Sequence, residues 1–242
     1  MRPLVHGHRG ARAKRPENTL PAFAYAIDVG ADALELDVAV TRDNVPVVSH
    51  DPILAGPLPA VIRELTLAQV KQWCRGGVPI PTLDEVFALA APSRVELNIE
   101  LKSFPERPEF TPPPLEFARL VLQEIRKHKL EARAIAQSFD FRTLRAMRDI
   151  APEIRRSALF EDDARDFAAI AREAGGTPMV SPHYSLVTRE KVAQAHNAGL
   201  QVMVWTVNTP DDWTRMVESQ VDAIITDDPA ALIAFLTAQA IR

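Results

Sequence analysis

Eight short apolar runs, each followed by helix-patterned sequence and spread over 242 residues without a shift in composition, predict a TIM (β/α)8 barrel. Charged residues interrupt two of these runs, as Glu35-Leu-Asp37 and as Glu96-Leu-Asn98-Ile-Glu100-Leu-Lys102. A strand buried on both faces normally reads as continuous Val, Ile and Leu, so alternating carboxylates inside one are costly unless something compensates them. In a barrel of this class such residues belong to a site at the C-terminal ends of the strands. A doubly wound open sheet is the runner-up, but it would carry a glycine-rich phosphate turn after its first strand, and His8-Arg9-Gly10-Ala11 is not one.

The first strand leads from Leu4 into His6-Gly7-His8. Asn18-Thr19 then precedes Leu20 to Ile27, with Gly30 just beyond, which are helix start and stop signals in the right order. Ala33 to Val40 is the second strand. Arg42-Asp43-Asn44 supplies turn chemistry, and Val45 to His50 returns antiparallel to it. A tight turn at Asp43-Asn44 pairs Arg42 with Val45 and sets Asp37 opposite His50; a one-residue bulge would break that register. Helical patterns follow at 66–74 and 82–91, and a strand at 94–101. The prolines ending Pro112-Pro113-Pro114 form a stiff entry to a helix at 115–128. Strands near 132–138, 155–160, 178–181, 201–207 and 222–226 then alternate with helices near 141–150, 163–174, 188–198, 211–218 and a last helix to about 240. Uniform alternation predicts one domain over residues 1–242, with a short inserted cap at about 51–80 after the antiparallel return strand.

Composition narrows the function classes. With 47% hydrophobic and 25% charged residues the chain resembles an ordinary globular protein, and a net charge of −4 argues against non-specific nucleic-acid binding. No run approaches the roughly 18 apolar residues of a membrane span, so no stable membrane insertion is expected. Met1-Arg-Pro-Leu-Val-His6 lacks the pattern of a signal peptide, and the chain reads as cytoplasmic. The single cysteine, Cys74, has no internal disulfide partner and is expected as a buried or half-buried thiol. No heptad pattern is present to set an oligomeric state.

Glu35 and Asp37 lie two apart on one strand and share a face, as do Glu96, Asn98, Glu100 and Lys102 on the next. Three converging carboxylates with no thiolate nearby make an all-oxygen site, suited to a hard divalent cation, Mg²⁺ or Ca²⁺, with Glu35, Asp37 and Glu100 as ligands. His8 and His50 could serve as a general acid and base near neutral pH, whereas His6 reads as a structural hydrogen-bond partner. Arg9 and Lys102 suit a phosphate. A cation, two histidines and two cationic side chains together describe a phosphodiester-cleaving site.

These residues resemble the glycerophosphodiester phosphodiesterase family. The motifs that carry the resemblance are His8-Arg9-Gly10, Pro16 to Thr19, Glu35 with Asp37, His50-Asp51, Glu100 with Lys102, Trp205 to Asn208, and Thr226 to Pro229, and the similarity runs from residue 4 to about 231. The resemblance implies a TIM barrel with Glu35, Asp37 and Glu100 on the metal. It also implies His8 and His50 as the acid–base pair, and Arg9 and Lys102 on the phosphate. The implied reaction hydrolyses a small-molecule glycerophosphodiester, such as glycerophosphocholine or glycerophosphoethanolamine, to sn-glycerol 3-phosphate and an alcohol. Trp205 would pack against the glycerol or a choline head; Glu17 and Asn18 would orient the first-strand loop.

The chain departs from the family after His50-Asp51, where Pro52 to Val61 lacks the usual Arg-Thr-Thr-like stretch, and this bears on the alcohol half of the substrate. Ile53, Leu54, Leu58, Val61 and Ile62 could pack onto the barrel rim or meet a lipid tail. Two alternatives follow: a lysophospholipase D acting on lysophospholipids, and a non-catalytic binder of phosphorylated ligands, which would be expected to have lost one of the acids or histidines.

Overall fold

The computed structural model describes residues 2–56 and 58–239. In chain order its strands are β1 (Leu4–Gly7), β2 (Ala33–Val40), β3 (Pro46–Val48), β4 (Ile53–Leu54), β5 (Ala60–Val61), β6 (Cys74–Arg75), β7 (Val78–Pro79), β8 (Glu96–Leu101), β9 (Ala134–Ser138), β10 (Arg155–Phe160), β11 (Met179–Pro182), β12 (Gln201–Val204) and β13 (Ala223–Thr226). The helices are α1 (Leu20–Asp28), α2 (Leu67–Val70), α3 (Leu83–Ala90), α4 (Pro114–Lys127), α5 (Phe141–Ile150), α6 (Phe167–Glu173), α7 (Arg189–Asn197), α8 (Pro210–Glu218) and α9 (Pro229–Ala238). Eight parallel strands run β1-β2-β8-β9-β10-β11-β12-β13, and β13 pairs back onto β1 with Gly7 beside Thr226, closing the barrel.

The period-two alternation of β2 divides its residues between two environments. Leu34, Leu36, Val38 and Val40 enter a core shared with Phe23 of α1, Phe87 of α3 and Phe117 of α4. On β8, Leu97, Ile99 and Leu101 join the same layer. Each such side chain contributes about 1.5–3 kcal/mol by leaving water, which leaves the opposite face free to carry polar groups. That face holds Glu35, Asp37, Asn98 and Glu100, all buried. Parallel pairing of β2 with β8 sets Glu35 beside Asn98 and Asp37 beside Glu100. The helices begin where short oxygen-bearing side chains cap them, as at Thr19, Thr82, Asp140, Thr188, Thr209 and Asp228.

The return strand corrects one expected register. Thr41 N donates to Val45 O at 3.1 Å and Asn44 N to Thr41 O at 3.0 Å, with Asn44 at φ +62°. The loop is therefore three residues long, a turn followed by a left-handed Asn, and not two. Val38 pairs with Val48, and Ser49 N donates to Asp37 O at 2.9 Å, so Ser49 takes the place opposite Asp37 that was expected for His50.

Residues 51–80 form two short hairpins, β4–β5 and β6–β7, around α2. The helix expected at 66–74 stops at Val70. Gly76 and Gly77, at φ +57° and +79°, turn the chain into the second hairpin, which leaves Cys74 exposed rather than buried. Leu54 and Ile62 pack beneath this segment, whereas Ile53 and Leu58 face solvent. The last expected helix is seen to Ala238, and its end at 240 lies outside the described residues. No helix among the described residues is long and apolar enough to cross a membrane.

Candidate active site

The loop after β1 is a tight reversal. Gly10, at φ +86°, has Ala22 of α1 so close that a Cβ there would sit 2.7 Å from its backbone. Arg9 and Asn18 also adopt left-handed backbone, at φ +50° and +56°, which costs a non-glycine residue about 1–2 kcal/mol each. Hydrogen bonds made from that strained geometry offset the cost. Arg9 N donates to Glu35 Oε2 at 2.9 Å, Asn18 N to Arg9 O at 2.9 Å, and Asn18 Nδ2 to Asp37 Oδ2 at 2.8 Å.

Glu35, Asp37 and Glu100 each offer a carboxylate oxygen, and the three lie within 4.8 Å of one another. Glu35 also accepts from Gln137 Nε2 at 3.1 Å. Arg9 Nε stands 3.3 Å from Asp37 and its Nη1 is 2.9 Å from Glu17; Lys102 Nζ is 2.9 Å from Glu100 and 4.0 Å from Asp37.

The electrostatic balance is uneven. Although burial pushes Asp37 upward, Lys102, Arg9, His50 and the Asn18 hydrogen bond together hold it below the usual carboxylate range. Glu35 goes the other way, held well above it by burial and by its neighbours Asp37 and Glu100. Burial also raises Glu100 to about 7, opposed by Lys102 and reinforced by Asp37. Two carboxylates are thus short of positive charge, the condition a divalent cation relieves, and the all-oxygen donor set fits a hard ion. A second acid–histidine group, Asp84, Glu124 and His128, contrasts with it: Lys127 Nζ already stands 2.7 Å from Asp84.

The two histidines flank the trio. His8 Nδ1 lies 2.5 Å from Asp227 Oδ1, which leaves Nε2 directed inward, 4.0 Å from Glu35. His50 Nδ1 lies 2.8 Å from Asp51 Oδ1. Burial, with Lys102 and Arg9 nearby, lowers the His50 pKa against the opposing pull of Asp37 and Asp51. Trp205 is partly exposed beyond the end of β12. Its Nε1 donates to Ser181 O at 2.8 Å, and its ring meets Phe139 and His183 edge-on at 5.5 and 5.2 Å. Phe139 in turn lies 5.9 Å from Lys102 Nζ, so the aromatic wall continues outward from the acids.

Asp227, Asn208 and Gln137 had no assigned role in the sequence. Asn208 Nδ2 donates to Asp227 Oδ2 at 2.8 Å and its Oδ1 accepts from Asp227 N at 2.9 Å, fixing the carboxylate that holds His8. The signal was available in principle: barrel closure sets Gly7 beside Thr226, which makes His8 and Asp227 neighbours. His6 and Glu96 lie deeper along the barrel axis and away from the acids, His6 Nδ1 near Asn98 Nδ2 at 3.5 Å and Glu96 paired with Arg155 at 2.9 Å.

Residues 8–231 match the model of the glycerophosphoryl diester phosphodiesterase family. The chain belongs to this family. A glycerophosphodiester phosphodiesterase of Caldanaerobacter subterraneus is 33% identical over 249 residues, covering 96% of this chain and 97% of its own length. Among solved structures, a proposed glycerophosphoryl diester phosphodiesterase of Silicibacter pomeroyi is 31% identical and superposes with a TM-score of 0.89, covering 98% of this chain and 94% of its own. A glycerophosphodiester phosphodiesterase of Parabacteroides distasonis is 26% identical, with a TM-score of 0.86 and 98% of both chains covered. The closed eight-stranded barrel and the phosphodiesterase class therefore agree with what the residues suggested, and the match spans the same stretch as the motifs.

Proposed function

We propose that this phosphodiesterase hydrolyses glycerophosphodiesters, among them glycerophosphocholine and glycerophosphoethanolamine, to sn-glycerol 3-phosphate and an alcohol, and that it depends on a divalent cation, Mg²⁺ or Ca²⁺. The observation that carries the reading is the under-neutralised trio Glu35, Asp37 and Glu100 set between two histidines, each backed by an aspartate. A cation held by those acids would neutralise phosphoryl charge and acidify an oxygen bound to it.

The protein's own groups account for the rest. Arg9 and Lys102 bind the non-bridging phosphate oxygens. One imidazole of the His8–His50 pair takes the proton of the glycerol 2-hydroxyl as its oxygen attacks phosphorus. The bond from phosphorus to the alcohol breaks, and the other histidine, protonated, gives its proton to the departing oxygen. Water then adds to the cyclic phosphate and the new ring bond opens, with the two imidazoles in exchanged roles. Asp227 and Asp51 hold Nδ1 of each ring and keep Nε2 for these transfers.

Release of glycerol 3-phosphate from glycerophosphocholine, followed in the parent, His8→Ala and His50→Ala proteins, tests the reading. Each variant should lose at least about 10²-fold in kcat, and a variant within a few-fold of the parent would remove that histidine from the mechanism. A second reading, hydrolysis of lysophospholipids, draws support from the exposure of Ile53 and Leu58 on the segment that follows His50 in the chain. It requires a higher rate on lysophosphatidylcholine than on glycerophosphocholine.

A further inference from the structure

Residues 51–80 line an open cavity of about 280 Å³ that includes Asp51, the partner of His50, together with Ile53, Leu54, Trp73 and Arg75. That volume equals about nine waters at liquid density. Arg75 sits on the β6–β7 hairpin, half-buried. Its Nη2 donates to Ser49 Oγ at 3.1 Å, and among the described residues no carboxylate lies within 4.0 Å of it. By contrast, the guanidinium and ammonium that reach the acid trio are paired, Arg9 with Glu17 and Asp37 and Lys102 with Glu100. Across the same cavity Asp51 uses Oδ1 on His50 and is largely exposed to solvent. Arg75 and Asp51 therefore line one cavity with opposite charges that do not reach each other.

A group bridging them must carry both an anion and a cation. From these observations we infer that the cavity is the alcohol subsite, and that it selects a zwitterionic head group of the amino-acid type, the serine of glycerophosphoserine. The carboxylate of the head group engages the Arg75 fork and its ammonium engages Asp51. Choline or ethanolamine, each a lone cation, would meet the Arg75 guanidinium while bringing no anion to it, a repulsive element of the kind that sets specificity. This assignment leaves the Trp205–Phe139 wall to the glycerol half and deepens the phosphodiesterase reading above, on which it rests.

The test compares kcat/KM for glycerophosphoserine and glycerophosphocholine in the metal-loaded parent, Arg75→Gln and Arg75→Lys proteins. The parent should favour the serine diester by about tenfold or more. In Arg75→Gln the serine value should fall by roughly 10–100-fold, the worth of a charge-assisted hydrogen bond pair. The choline value should rise in the same protein, opposite movements that loss of folding cannot produce. Arg75→Lys should keep part of the preference. Equal hydrolysis of both diesters by the parent, or a parallel fall on both in Arg75→Gln, overturns the subsite and leaves the phosphodiesterase reading standing. Hydrolysis of neither by the folded, metal-loaded parent overturns both.

Discussion

Asp227→Asn preserves the shape of the group behind His8 and removes only its charge and its acceptor pattern. Asp227 now accepts from His8 Nδ1 through one oxygen and from Asn208 Nδ2 through the other. The strength of this arrangement shows in its titration: although burial pushes the Asp227 carboxyl upward, the His8 hydrogen bond and charge, with Arg12 and Asn208, hold it below its usual range. An Asn at 227 has two orientations and both fail. If its oxygen stays on His8, its amide meets the Asn208 amide donor to donor. If it flips, its NH₂ faces Nδ1 and forces the imidazole proton onto Nε2, where the ring cannot take a proton from substrate. Loss of a correctly held general base or acid costs about 10²–10⁴-fold in rate, or roughly 3–5 kcal/mol of barrier. Asp227 is not among the three acids, so the Mg²⁺ concentration giving half-maximal activity should stay within about threefold of the parent. Steady-state kinetics on glycerophosphocholine across a Mg²⁺ titration, with the thermal midpoint as a folding control, measures both. A folded Asp227→Asn protein with kcat within threefold of the parent would refute the assignment of His8 as an Asp-held acid–base group.

Two further outcomes follow from buried titrating groups. In the metal-free protein Glu100 titrates near 7, above its value of 4.5 in the unfolded chain, so folding stability falls as pH rises from about 4.5 through 7. Glu100→Gln should therefore raise the midpoint of the EDTA-treated protein at pH 8 and abolish the rise that Mg²⁺ gives the parent; a Mg²⁺-induced rise that persists in the variant would exclude Glu100 as a ligand. His6 moves in the other direction. Burial, aided by Arg155 against the pull of Asp32, lowers it from 6.5 to about 4, so the unfolded chain binds its proton first and stability drops as pH falls from 6.5 to 4. The loss is about 3 kcal/mol at the lower limit. Urea unfolding should show a flatter acid limb for His6→Gln, and parallel limbs in the two proteins would place the titrating group elsewhere.

The legible parts of the fold and site were those set by local pattern. Glu35 and Asp37 advertised themselves because they break the apolar run of a strand whose other face, Leu34 to Val40, must be buried in the helical layer. The β/α alternation carried the barrel for the same reason. What the sequence did not show required a count or a closure. One left-handed Asn44 lengthens the β2–β3 loop by a residue and shifts every pair behind it. Asp227 gains its role only when β13, near the end of the chain, closes beside β1, an adjacency across 219 positions that no local window reports. The helix expected through Cys74 failed because paired glycines at 76 and 77 favour a hairpin, a preference that apolar periodicity does not weigh. That no carboxylate among the described residues reaches Arg75 could not be read either, since every candidate partner had to be placed first.

If Glu35, Asp37 and Glu100 hold a divalent cation, cleavage of the bond between phosphorus and the alcohol should depend on it. Phosphorus-31 NMR of glycerophosphocholine incubated with the protein, first with Mg²⁺ and then with excess EDTA, tests it directly. The diester signal should be replaced by that of glycerol 3-phosphate, with conversion stopping when EDTA is added and resuming when Mg²⁺ is restored in excess. Phosphocholine as the product, or conversion that continues undiminished in EDTA, would contradict it.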